Sequence, residues 1–214
     1  MTQVKICGLT RAEDVVHAAG AGAAYLGFVF FPPSPRAASL DQAADLMRAA
    51  PDGVIKTALT VDPDDALIEA LTALPTDLIQ LHGEETPERV AAIRQNTGLP
   101  VMKAIGIGEQ KDLAQIQLYE QVADRLLIDA KPPKGATRPG GNALAFDWRL
   151  IAGRRWGLPW LLAGGLTPEN VAEAISLTGA EAVDVSTGVE SAPGVKDPTK
   201  TAAFIDAAQA WQPA

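Results

Sequence analysis

The stretch Trp160-Leu161-Leu162-Ala163-Gly164-Gly165-Leu166-Thr167-Pro168-Glu169-Asn170 holds the start of one complete structural unit. A short apolar run, the length of a strand, gives way to paired glycines and then to a hydroxyl residue followed by proline. Thr167 is predicted to be the N-cap of a helix, its oxygen accepting an orphan backbone N–H. Pro168 would then sit at N1, where its missing donor costs nothing. The same signal recurs at Asp62-Pro63, Thr86-Pro87 and Asp197-Pro198, while Thr10-Arg11-Ala12-Glu13 and Ser39-Leu40-Asp41-Gln42 read as capping boxes.

Each of these helix starts follows an apolar run. The runs are Val4 to Cys7, Tyr25 to Phe30, Ile55 to Leu59, Leu78 to Leu81, Val101 to Ile105, Leu126 to Ile128, Trp160 to Ala163 and Ala182 to Val185. Between them lie amphipathic segments of helical length. Continuous apolar strands alternating with helices imply a parallel sheet covered by helices. Eight units in 214 residues leave about 27 residues each, which fits a single-domain α/β protein over residues 1–214, a (β/α)8 TIM barrel at the economical end of its range. An open doubly wound sheet satisfies the same pattern, but no G-x-G-x-x-G follows the first strand.

Composition narrows the function. A single Cys excludes an intramolecular disulfide and an all-cysteine zinc site, and with only two His residues, His17 and His82, a histidine-built metal centre is not expected. The net charge of −8, without a basic tract, argues against nucleic acid or an anionic membrane as partner. No run approaches the roughly 20 apolar residues of a membrane span, and the first residues lack a signal-peptide layout, so a cytoplasmic protein is expected.

In a barrel of this kind the chemistry lies at the carboxyl ends of the strands. Lys5 and Cys7 share a face of the first strand. Cys7 reads either as a small buried hydrophobe or as a thiol whose anionic form Lys5 favours. Arg36 follows a stiff Pro32-Pro33-Ser34-Pro35 loop, as suits a grip on a carboxylate or phosphate, though a solvated arginine reads equally well. Gln80 and His82 share the rim of the fourth strand, where a polar orienting role fits His82 better than metal ligation. Lys103 is a charge inside an apolar run, open to a structural pairing. Asp129 ends the sixth strand, placed either as a general acid or as a partner for Lys131. The loop from Lys131 to Ala145 has the length of a lid or of a disordered segment. Gly164-Gly165 after the seventh strand and Gly188 after the eighth stand where such barrels cradle a phosphate on backbone N–H groups. No dinucleotide loop or metal cluster is apparent, so no cofactor is called for. The set suits proton shuffling on a sugar phosphate.

K-I-C-G-L-T at 5–10, G-F-V-F-F-P-P-S-P-R at 27–36, Q-L-H-G-E-E at 80–85, L-L-I-D-A-K at 126–131, L-A-G-G-L-T-P-E-N-V at 162–171 and V-D-V-S-T-G-V-E-S-A-P-G-V-K-D at 183–197 resemble the phosphoribosylanthranilate isomerase family, in order and over nearly the whole chain. The resemblance implies a TIM barrel that needs no cofactor and catalyses an Amadori rearrangement of phosphoribosylanthranilate in tryptophan biosynthesis, as a monomer or homodimer. It implies Asp129 as acid and Cys7 as base, with Arg36 on the anthranilate carboxylate. Lys5, Gln80, His82, Gly164, Gly165, Ser186 and Gly188 become substrate-binding residues. Two departures stand out: Thr187 replaces a common second Ser, and Gly140-Gly141-Asn142-Ala143-Leu144 lacks the second glycine of the family loop. A related synthase barrel would need a lysine acid and a glutamate base, and a histidine-pathway isomerase a pair of aspartates. A non-catalytic phosphate-binding protein would have no use for Cys7 and Asp129 together.

Overall fold

The structure, a computed structural model, describes residues 1–132, 135, 140 and 145–210. Eight parallel strands close into a barrel: β1 Gln3–Cys7, β2 Tyr25–Phe30, β3 Ile55–Thr60, β4 Leu78–Leu81, β5 Val101–Ile107, β6 Arg125–Ala130, β7 Trp160–Leu162 and β8 Ala182–Val185. Every expected run is a strand, with ends shifted by at most two residues. The helices are α1 Ala12–Gly20, α2 Leu40–Ala49, α3 Asp65–Thr72, α4 Pro87–Thr97, α5 Ala114–Tyr119, α6 Val171–Thr178 and α7 Pro198–Ala210. Among the described residues, β6 and β7 are joined by no α-helix, only by a 3-10 turn at Trp148–Leu150. No described helix is long and apolar enough to cross a membrane.

Strand alternation sorts the side chains. Val4, Ile6, Leu26, Phe28, Leu126 and Ile128 point outward and pack with the helices in the main core cluster. Tyr25, Leu78, Met102, Leu127, Leu161 and Ala182 fill the barrel interior as a separate cluster. Cys7, Val29 and Leu59 form an apolar layer above them. The inward set of β1 therefore includes both Lys5 and Cys7, opposite Tyr25 and Gly27 on β2.

The caps are only partly as expected. Thr86 caps α4, with Pro87 at N1, and Asp197 Oδ1 accepts the Lys200 N–H at 3.1 Å ahead of α7. Ser39 caps α2, but the Gln42 side chain donates to the Thr10 carbonyl rather than closing a capping box. Asp64, not Asp62, caps α3. Asp62 adopts φ 45° and instead ties the β3 and β4 loops together, its N–H on Glu85 and its carboxylate on the Glu84 N–H. Thr10 is drawn away from α1 to donate to the Gly194 carbonyl. Thr167 lies in the turn ahead of α6, which starts only at Val171. A hairpin follows β8, built from β9 Glu190–Ala192 and β10 Val195–Lys196.

Candidate active site

The carboxyl ends of the strands open into one cleft with two lobes. The first, of about 710 Å³ counted out to open solvent, runs along the loops after β6, β7 and β8, where Gly164, Gly165 and Gly188 line it with Thr167. The second, of about 520 Å³, has walls from Val29, Phe31, Leu59 and Val61, with Cys7, Arg36 and His82 at its polar points. Asp129, Gly140, Asp184 and Ser186 line both lobes, so they mark where a ligand spanning the cleft changes from one environment to the other.

Asp129 ends β6 with one oxygen on the Ala130 N–H at 2.7 Å and the other 3.2 Å from His82 Nε2. The Gln80 amide nitrogen stands 2.9 Å from His82 Nδ1, so a hydrogen-bonded run from β4 orients the carboxyl group on β6. Lys131 does not pair with Asp129. It bonds Asp112 at 2.6 Å, and although burial works against that carboxylate, Lys131 and the Gly108 and Glu109 N–H groups hold it below its ordinary range.

Arg36 is neither free nor solvated. It makes a two-point bond to Glu190, Nε to Oε1 at 2.7 Å and Nη2 to Oε2 at 2.8 Å, and Nη2 also reaches Thr187 Oγ1 at 3.1 Å. Burial opposes its charge, but Glu190 more than offsets this and keeps the guanidinium above its ordinary value. Lys196 also bonds Glu190, at 2.9 Å, and the two cations hold that carboxylate low against the cost of burial. Burial pulls Lys196 below the usual lysine range.

Cys7 lies in the cleft wall at 4% exposure. Lys5 was expected to lower its thiol, but burial dominates and pushes the thiol up, with Lys5 and Lys196 pulling it back. Lys5 is fully buried and absent from the cleft lining. Its ammonium is bonded to Asp184 at 2.8 Å. Gln80 is likewise fully buried and behind the wall, reaching the cleft only through His82. Strand alternation points both side chains inward, one layer below the residues that line the cleft. Lys103 points out of the barrel, bonded to Glu85 and the Gly83 carbonyl and lying over the Tyr119 ring. The missing glycine of the loop after β6 falls at residues outside the described ones.

The model for the family described as N-(5'phosphoribosyl)anthranilate (PRA) isomerase matches residues 4–207. The chain belongs to the phosphoribosylanthranilate isomerase family. Among its relatives, the N-(5'-phosphoribosyl)anthranilate isomerase of Cereibacter sphaeroides is 61% identical over 208 residues, covering 97% of this chain and 98% of that one. That of Paramagnetospirillum magneticum is 58% identical over 212 residues, with 99% of each chain covered. The crystal structure of phosphoribosyl anthranilate isomerase from Thermotoga maritima superposes with a TM-score of 0.89 at 35% identity, covering 99% of this chain and all of that one. A further family structure, in complex with reduced 1-(o-carboxyphenylamino)-1-deoxyribulose 5-phosphate, gives 0.85 at 33% identity over 99% of this chain and 100% of its own.

Within this phosphoribosylanthranilate isomerase barrel, three charged residues escaped the reading of the sequence: Asp184, Glu190 and Lys196. Asp184 had a signal, since it is an inward position on β8 and β8 closes on β1, where Lys5 needed a partner. Glu190 and Lys196 lie within the 183–197 motif, but the hairpin that carries them is not announced by any periodic pattern.

Proposed function

We propose that the isomerisation runs on two proton carriers lining one cleft, Asp129 as general acid and Cys7 as general base. The reaction is the Amadori rearrangement of N-(5'-phosphoribosyl)anthranilate to 1-(2-carboxyphenylamino)-1-deoxyribulose 5-phosphate. The phosphate sits against the backbone N–H groups around Gly164, Gly165, Ser186 and Gly188. The anthranilate ring fills the lobe walled by Val29, Phe31 and Leu59, and its carboxylate meets Arg36, which Glu190 has already oriented. The sugar then lies between, beside Asp129 and Asp184.

Asp129 gives its proton to the furanose ring oxygen as the nitrogen lone pair forms the C1=N bond and the C1–O bond breaks. His82 fixes the direction of that carboxyl group. The iminium makes C2–H acidic, and the Cys7 thiolate removes this proton. The C–H pair becomes the C1=C2 bond and the C=N pair returns to nitrogen. The enolamine then loses its O2 proton and gains one at C1. Two protons are delivered and two removed, and the enzyme returns to its starting state.

The reading rests on Cys7 and Asp129 lining one continuous cleft whose two lobes match the two ends of the substrate. Loss of substrate fluorescence follows turnover. Asp129→Asn is expected to lower kcat by about 10²–10⁴-fold, with the affinity for reduced 1-(o-carboxyphenylamino)-1-deoxyribulose 5-phosphate changed far less. Near wild-type turnover would remove Asp129 from the role of acid. Residues 1–214 act as one catalytic domain, a monomer or a homodimer, since the exposed Val16, Leu40, Leu118 and Leu177 are spread over four helices. Light scattering distinguishes the two states.

A further inference from the structure

Lys5 is a fully buried cation outside the cleft lining, in the interior of a barrel where such a group is costly without a purpose. Its register partner across the β1–β8 seam is Asp184, and the two side chains bond at 2.8 Å. On its other side β2 places Gly27 opposite Cys7. A Cβ built on Gly27 would lie 2.8 Å from Cys7 Sγ and 3.2 Å from Lys5 Nζ. Both atoms therefore crowd the space that the absent side chain leaves open, and the ammonium lies next to the sulfur on the side away from the cleft.

His82 after β4 and Asp129 of β6 line the same lobe as the sulfur, and the charges that act on it come from four other places. Lys5 lies on β1, Arg36 in the loop after β2, Asp184 on β8 and Lys196 on β10, with Glu190 of β9 bonded to both Arg36 and Lys196. Three cations thus meet two carboxylates, and a thiolate at Cys7 brings the cluster to neutrality. Arg36 and Lys196 share Glu190, whereas Lys5 is held by Asp184 and faces Cys7.

Building on the reading of Cys7 as the base, we infer that Lys5 is a positioning residue that acts through Cys7, offsetting part of the cost that burial puts on the anionic form of the sulfur, the form that accepts the C2 proton. Gly27 is the empty position that lets the two come together, and Asp184 anchors the ammonium there.

The chain has a single cysteine, so the pH dependence of iodoacetamide labelling, read by mass spectrometry without substrate, reports this thiol alone. In Lys5→Gln, which keeps a donor for Asp184, the labelling midpoint is expected to rise by about one unit or more, the size of effect an adjacent opposite charge exerts. The ascending limb of the kcat/KM profile should move up by the same amount, with kcat falling more than KM rises. Lys5→Arg should restore most of both. Asp184→Asn removes a negative charge and should move the midpoint down, a pair of opposite signs that mere loosening of the fold does not produce. If Lys5→Gln does not fold, the comparison of Lys5→Arg and Asp184→Asn with wild type still decides, because an unmoved midpoint in Asp184→Asn overturns the inference. So does an unmoved midpoint in folded Lys5→Gln. Should Cys7→Ser retain full turnover while these midpoints shift, the assignment of the base fails and the electrostatic coupling of Lys5 to the thiol stands.

Discussion

Arg36 and Cys7 show how much a residue's chemistry depends on partners distant in sequence. Arg36 is held by Glu190, 154 residues away, so the guanidinium is oriented before any ligand arrives. A planar fork bonded at two points cannot be copied by an ammonium. Arg36→Lys is expected to raise KM by about tenfold or more, the scale of a lost charge-assisted hydrogen bond, with a smaller loss in kcat, as steady-state kinetics would show. An unchanged KM would mean that Arg36 serves only to hold Glu190. For Cys7, burial and nearby charge pull in opposite directions, and only the structure reveals that burial prevails.

At the level of elements, the seam between β1 and β8 carries both closure and chemistry. Lys5 and Asp184 face each other across it, and although burial opposes the lysine's charge, Asp184 and Cys7 raise Lys5 from its ordinary 10.5 to about 12. A basic group raised on folding contributes stability that is complete below its ordinary value and lost as pH climbs through the folded one. Denaturant unfolding is therefore expected to show wild type losing on the order of 2 kcal/mol relative to Lys5→Gln between pH 10.5 and 12, with a constant difference at lower pH. A difference that does not change across that window would mean the pair adds nothing to closure. The loops on the other side of β8 depend on close approach: a Cβ on Gly188 would clash with the Leu166 carbonyl oxygen, so only glycine lets the β7 and β8 loops meet beside the first lobe of the cleft.

For the molecule as a whole, what could be read from sequence followed from how local the signal is. Strand runs such as Tyr25–Phe30 and Leu78–Leu81 emerge with the expected ends because apolarity over a few residues is enough to specify a strand buried on both faces. Caps were less legible. Thr10 and Asp62 carry the right side chains at the right offsets, but tertiary acceptors and donors in neighbouring loops claim them. Cys7, Arg36, His82 and Asp129 stood out as candidates because a barrel places its chemistry at strand ends, and all four line the cleft. The depth of Lys5 and Gln80 was not legible, since alternation gives the direction of a side chain and not its layer. Asp184 and Glu190 gained their importance only when the last strand closed on the first.

The account stands or falls on the thiol. Turnover of phosphoribosylanthranilate by Cys7→Ala, with the fold verified by circular dichroism, is the most direct measurement of it. A fall in kcat of at least about 10²-fold is expected, with the reduced product analogue still bound. Turnover within a few-fold of wild type would show that another group removes the C2 proton.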